Sequence, residues 1–338
     1  MRARRTACLK LRRRRIMGQS EQGKASGFFR PRRLGHANLF VSDYERASEF
    51  YQSVVGFEEV YRQPDNQASF LSNGNTYHDL GLTDIRSKYA AKDQKPGMWH
   101  LAFELETEAD LVAGYDSAKD AGVEFAFVMD HDVARSIYKH DPDGNMVEIY
   151  ADVEKNWRAL RHGIIVKEKP KWVPGVTSAP LTEKNYPQNP DLVVVDRAVF
   201  HPKMVTHVAL VTANFEAMFD YYVGIIGLSP LAGSRDGACT VLRGTASDEC
   251  VTLYRNSAAA SPGLHHVGFA VWDEADLKRS IAALPGAGIA LEREVDHPAR
   301  HSVVIRDPDG LRLQFFVNRN WDAPTIAKAR PEEALYLL

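Results

Sequence analysis

Four histidines occupy equivalent places in this sequence: His36, His100, His207 and His266 each lie inside an apolar run that reads as a β-strand. Residues two apart share a strand face, so His36 projects with Asn38 and Phe40, His100 with Ala102, and Glu148 with Met146 and Tyr150. Two imidazoles from paired first strands and a carboxylate from a last strand can converge inside one curved sheet. That donor set suits non-haem Fe(II), leaves positions open for substrate and dioxygen, and also accepts Mn(II). His36, His100 and Glu148 are therefore the predicted metal ligands. A lone strand histidine is ordinarily a satisfied core residue and a lone glutamate a solvated one; the repetition of the pattern raises these three above that reading.

The elements that must position them form a repeat. Each histidine-bearing strand is followed by an N-cap candidate, an amphipathic helical stretch and a closing glycine. Ser42 or Asp43 precedes the first helix, and Thr107, Asn214 and Asp273 precede the others; Gly56, Gly122, Gly227 and Gly288 close them. The His-to-Gly spacing is 20, 22, 20 and 22 residues, so the units alternate as A-B-A-B. Asp141-Pro142-Asp143-Gly144 recurs as Asp307-Pro308-Asp309-Gly310, offset by the same 166 residues that carry His100 to His266. Three β-rich stretches follow each helix, giving βαβββ modules and an α+β fold. In the second half Gln314 stands where the first has Glu148. A neutral amide is a weaker ligand than a carboxylate, so His207, His266 and Gln314 read as a remnant with a structural role.

Composition narrows the class. With 338 residues, 44% hydrophobic and 25% charged, the chain is globular and long enough for two domains. A net charge of −2 gives no pull towards nucleic acid, and no apolar run approaches the ~18 residues of a membrane span. Cys8, Cys239 and Cys250 form no close pair, as expected in a reducing cytoplasm. Residues 1–16 carry eight Arg or Lys. They lack the apolar core of a secretory signal and read as part of a disordered extension, 1–30, with Met17 an alternative start. Residues 151–200, rich in Pro and Lys, read as a connector.

The modules and the His, His, Glu pattern resemble the vicinal oxygen chelate superfamily of glyoxalases, epimerases, antibiotic-resistance proteins and type I extradiol dioxygenases. The stretch His131, Ile137-Tyr138, Asp141-Pro142, Gly144 and Glu148 is similar to the extradiol dioxygenase signature, with Met129 a departure from its usual smaller residue. Tyr77-His78-Asp79-Leu80 is similar to the segment that carries that family's acid-base histidine. The resemblance implies duplicated chelate domains, with four modules paired into two barrel-like curved sheets. The expected boundaries are a catalytic domain at 31–152, a connector at 153–200, a degenerate domain at 201–320 and a tail at 321–338. It implies His78, His131 and Tyr138 as catalytic residues, an aromatic diol and O2 as partners, and a homo-oligomer. Two-domain relatives usually have the reverse order, with the metal in the second domain.

The activity expected is extradiol cleavage of a catechol-like ring at a mononuclear iron. The alternatives are a non-oxidative lyase or isomerase using the same ligands, and a ligand-sequestering resistance protein that needs none. His131 and Tyr138 would hydrogen-bond the substrate oxygens, and His78 would move the proton. The Asp141–Gly144 turn needs only a structural role. His140 and His301 are expected to be exposed, and Phe40, Trp99 and Phe103 to lie in the core.

Overall fold

The computed structural model describes residues 27–64, 67–165, 169–256 and 262–337. The basic stretch 1–16, Met17 and Cys8 lie outside these residues. Among them, the first half folds as β1 (Arg33–Val41), α1 (Tyr44–Phe50), β2 (Glu58–Arg62), β3 (Ala68–Ser72), β4 (Leu80–Asp84), β5 (Gly97–Glu104), α2 (Glu108–Asp120), β6 (Phe127–Asp130), β7 (Ala134–His140) and β8 (Met146–Asp152). This is βαβββ twice. The connector adds α3 (Trp157–Leu160) and β9 (Gly163–Ile164). The second half repeats the pattern with β10 (Pro202–Thr212), α4 (Phe215–Tyr221), β11 (Ser229–Gly233), β12 (Cys239–Arg243), β13 (Val251–Arg255), β14 (Gly263–Val271), α5 (Glu274–Ala283), β15 (Leu291–Asp296), β16 (Arg300–Arg306) and β17 (Arg312–Asn318). The tail forms α6 (Ala323–Ile326) and α7 (Pro331–Leu337).

The first sheet runs β6-β7-β8-β5-β1-β4-β3-β2-β9 and the second β11-β12-β13-β10-β14-β17-β16-β15. Both are open at their ends, with the histidine-bearing first strands of the two modules antiparallel at the centre. The alternation inferred from sequence holds. Ala37, Leu39, Leu101, Phe103, Val147 and Ile149 enter the main apolar core, while His36, Ala102 and Glu148 occupy the opposite face. That core continues from one sheet to the other, through ring contacts such as Phe57 with Phe269 at 5.8 Å and Phe103 with Tyr222 at 6.0 Å.

Capping follows the predicted residues with two refinements. Asp43, Thr107 and Asp273 accept from the backbone N–H three residues on. Ser42 instead donates to Asp309 of the other half, and Asn214 donates to Asp143 at 2.7 Å. Helices α1 and α4 each run on into a π-helical turn, Tyr51–Val55 and Tyr222–Ile226, and end on Gly56 and Gly227 with φ of 96° and 86°. A side chain there would meet the carbonyl oxygen of Phe200 or of Phe29 at about 2 Å, so both positions need glycine for fit as well as for conformation.

The Asp-Pro-Asp-Gly turns do more than reverse the chain. Tyr51 donates to Asp307 Oδ2 at 3.0 Å and Tyr222 to Asp141 Oδ2 at 3.1 Å, so each half's first module clamps the other half's last turn. Removing one hydroxyl leaves a largely buried carboxylate short of a donor. Tyr51→Phe and Tyr222→Phe are each expected to lower the unfolding free energy by about 1–3 kcal/mol, read from urea melts. An unchanged midpoint in both would mean the clamps add nothing.

Candidate metal centre

One cross-strand row builds the centre. Tyr138 on β7 pairs with Glu148 on β8, Glu148 with Ala102 on β5, and Ala102 with His36 on β1; His100 stands two residues from Ala102 on the same face. Ala102 is the small member of the row, and its methyl leaves room between His36 and Glu148. Glu148 Oε2 lies 3.1 Å from Nε2 of both His36 and His100. The three ligand atoms lie within 4.8 Å of one another, and all three side chains are buried.

The electrostatics match a cation site. Burial pushes the Glu148 carboxyl up, but the flanking imidazoles outweigh it and hold the group ionised, well below the usual carboxylate range. Burial holds His36 below its ordinary value, in the neutral form that ligates metal. Nδ1 of both histidines is buried without a protein partner. A buried carboxylate facing two imidazole nitrogens fits a divalent metal with borderline-hard preference such as Fe(II) or Mn(II).

Ser136 was not singled out from sequence, yet its hydroxyl donates to Glu148 Oε1 at 2.5 Å, the oxygen turned away from the histidines. Its register on β7, opposite Tyr150 of β8, is visible only once the sheet is paired. Ser136→Ala is expected to weaken metal binding roughly 10–100-fold while leaving the fold intact, measured by competition with a chelator. Unchanged affinity would remove Ser136 from the site.

His78, His131 and Tyr138 lie around the three candidate ligands. The His78 ring lies 4.0 Å from that of His36, centre to centre, with Phe70 and Tyr77 packed around it. Tyr61 Oη approaches its Nδ1 at 3.4 Å, while Nε2 is buried and unpartnered. On the other side His131 Nε2 and Tyr138 Oη are 2.9 Å apart, and the Tyr138 ring lies edge-on to His100. Burial, then the neighbouring His36, keeps His78 well below its ordinary value and therefore neutral. Burial and Glu148 keep Tyr138 a protonated phenol. Phe103 is core as expected; Phe40 and Trp99 stack at 5.2 Å, with Trp99 edge-on to His100.

The connector contributes what the sequence reading left unassigned. Strand β9 pairs with β2, Arg161 donates to the His131 carbonyl, and Lys169 Nζ stands 2.9 Å from His131 Nδ1. Exposure of His301 was expected, but it is buried at 1%, between Glu274 at 2.7 Å and Glu294 at 2.9 Å. On β16 it pairs with Val317, and its charged partners come from α5 and β15, 27 and 7 residues away.

The second half gives the contrast. Its corresponding row is Val304, Gln314, Gly268 and His207. With no methyl at Gly268, the His207 ring sits where a side chain would be, 2.3 Å from the ideal Cβ position. Gln314 Nε2 donates to the Tyr336 carbonyl at 2.8 Å, so α7 of the tail is bonded across this cluster. Where the first half has His78 the second has Glu249, paired with buried Arg300 at 2.6 Å. Among the described residues only His36, His100 and Glu148 form a grouping suited to a metal.

A family model described as the Glyoxalase/Bleomycin resistance protein/Dioxygenase superfamily matches residues 33–149 and again 205–315, more than half of the chain. The chain belongs to this superfamily. Its two matched segments coincide with the two sheets, so the duplication read from the repeat and the chelate fold implied by the resemblance are the fold observed. Among curated members it is similar to catechol-2,3-dioxygenase of Bacillus subtilis (strain 168), 28% identical over 131 residues, 38% of this chain and 45% of that protein. It is also similar to biphenyl-2,3-diol 1,2-dioxygenase 3 of Rhodococcus globerulus, 32% identical over 123 residues, 36% of this chain and 63% of that protein. The chain thus spans less than two thirds of either relative's length. Among solved structures, the 2,3-dioxygenase LapB from Pseudomonas sp. KL28 aligns with a TM-score of 0.62 at 15% identity, over 86% of this chain and 93% of that one, a likeness of fold. Among the described residues no helix is long and apolar enough to cross a membrane.

Proposed function

We propose that this superfamily member is an extradiol dioxygenase that opens the ring of a catechol-like substrate with O2, at a mononuclear metal held by His36, His100 and Glu148 in the N-terminal half. The observation that carries this reading is the gathering of His78, His131 and Tyr138 around the three ligands. Lewis-acid chemistry alone requires none of them. When bound, Fe(II), or Mn(II) in its place, supplies the charge that favours ionised substrate hydroxyls and a conduit for electron density from ring to oxygen.

The chain's own residues do the rest. His78 is neutral and its Nε2 is free, so it first accepts a proton from a substrate hydroxyl and later returns it as the O–O bond breaks. Tyr138, kept protonated, donates to a substrate oxygen; His131 holds Tyr138 in place. The buried ligands keep bulk water away from the reacting atoms. Oxygen uptake by anaerobically iron-loaded protein, mixed with a panel of catechols and hydroxylated catechols, tests the proposal through the coloured ring-fission products. Turnover of a superfamily substrate without oxygen, or with redox-inert metal, would indicate a lyase or isomerase instead.

A further inference from the structure

His131 has two close partners with opposite consequences. Lys169 Nζ lies 2.9 Å from Nδ1, and Tyr138 Oη lies 2.9 Å from Nε2. An ammonium can only donate, so Nδ1 must accept and the ring proton must sit on Nε2. Nε2–H then donates to the tyrosine oxygen. The Tyr138 hydroxyl proton is then left to point away from His131, on the side where the Tyr138 ring meets His100. We propose that Lys169 is a positioning residue: donating to His131 from the connector, it fixes the imidazole tautomer and so orients the Tyr138 hydroxyl proton towards the reacting oxygens.

Without that donor the relay can run the other way, with Nδ1–H facing outward and Nε2 accepting from Tyr138, which turns the phenol proton away from the substrate. The rest of the geometry favours the first direction. Among the described residues, Lys169 Nζ makes its close contacts to His131 Nδ1 and Met129 Sδ. Burial lowers Lys169 to about 8, which still leaves it mostly charged at neutral pH, while burial and then Lys169 hold His131 well below its ordinary value and neutral. Arg161 fixes the backbone of the same histidine through its carbonyl and approaches Asp132 at 3.4 Å. The His131 turn is thus tied to the connector at two points. Met129 also acquires a role: its sulfur lies 3.0 Å from Nζ, at the place where the sequence departs from the usual signature residue.

The rate consequence rests on the proposed dioxygenase reading; the tautomer does not. Nitrogen NMR of the full chain labelled at its histidine rings, with the His131 signals identified by their loss in His131→Gln, reads the tautomer directly. The native metal-free protein should show an unprotonated Nδ1 and a protonated Nε2. Lys169→Met should move the population towards Nδ1–H, and Lys169→Arg, which keeps a donor, should retain the native pattern. With iron and a catechol, Lys169→Met should lower kcat about tenfold with little change in KM or in metal content. A His131 spectrum unchanged in Lys169→Met, or equally altered in Lys169→Arg, would overturn the proposal. An absence of oxygen uptake in the native protein would instead refute the dioxygenase reading and leave the tautomer result standing.

Discussion

Replacing Glu148 with alanine is expected to weaken metal binding by more than about 100-fold, whereas Gln314→Ala leaves the metal content of the chain unchanged. Glu148 is the sole carboxylate of the group, and its Oε2 lies 3.1 Å from Nε2 of both histidines. Its loss removes both a ligand and the charge that compensates a cation in a buried site. Glu148→Gln is the more informative variant, because it gives the first cluster the donor set of the second. It should bind far more weakly than the native protein even though shape and volume are nearly kept. Metal analysis after dialysis reads all three variants. Loss of metal on Gln314→Ala with retention on Glu148→Ala would assign the centre to the wrong half.

His78→Gln is expected to lower kcat by about 10²–10⁴ while metal affinity stays within severalfold of native. The side chain lies against His36 without sharing in the ligand group, and its Nε2 has no protein partner to lose. Glutamine retains hydrogen bonding but cannot both accept and return a proton. Single-turnover kinetics under controlled oxygen separate this defect from weakened substrate binding. A variant with native kcat would remove His78 from proton transfer and leave it a packing residue.

Much of this was legible because strands alternate strictly and the chain repeats itself. The His-to-Gly spacings and the recurring Asp-Pro-Asp-Gly fixed the module boundaries closely enough that His36, His100 and Glu148 could be placed on one face before any strand was paired. The contrast between Glu148 and Gln314 likewise needed only the repeat. Interactions set by pairing between distant segments were not legible. Ser136 became a partner of Glu148 only through the β7–β8 register. Lys169 and Arg161 reach His131 because a two-residue strand, Gly163–Ile164, lays the connector beside β2, a signal too short for periodicity to register. The same limit hid the burial of His301 and the tyrosine clamps on the two Asp-Pro-Asp-Gly turns. The second cluster reads as a remnant from one residue, Gln314, and the structure adds that Gln314 Nε2 donates to the Tyr336 carbonyl of α7.

Labelled dioxygen tests the central claim most directly. Iron-loaded protein, given a catechol that it consumes under 18O2, should yield a ring-opened product carrying both heavy oxygen atoms, with none incorporated by Glu148→Ala. A product without label, or formed equally well in the absence of oxygen, would contradict ring cleavage by dioxygen at this site.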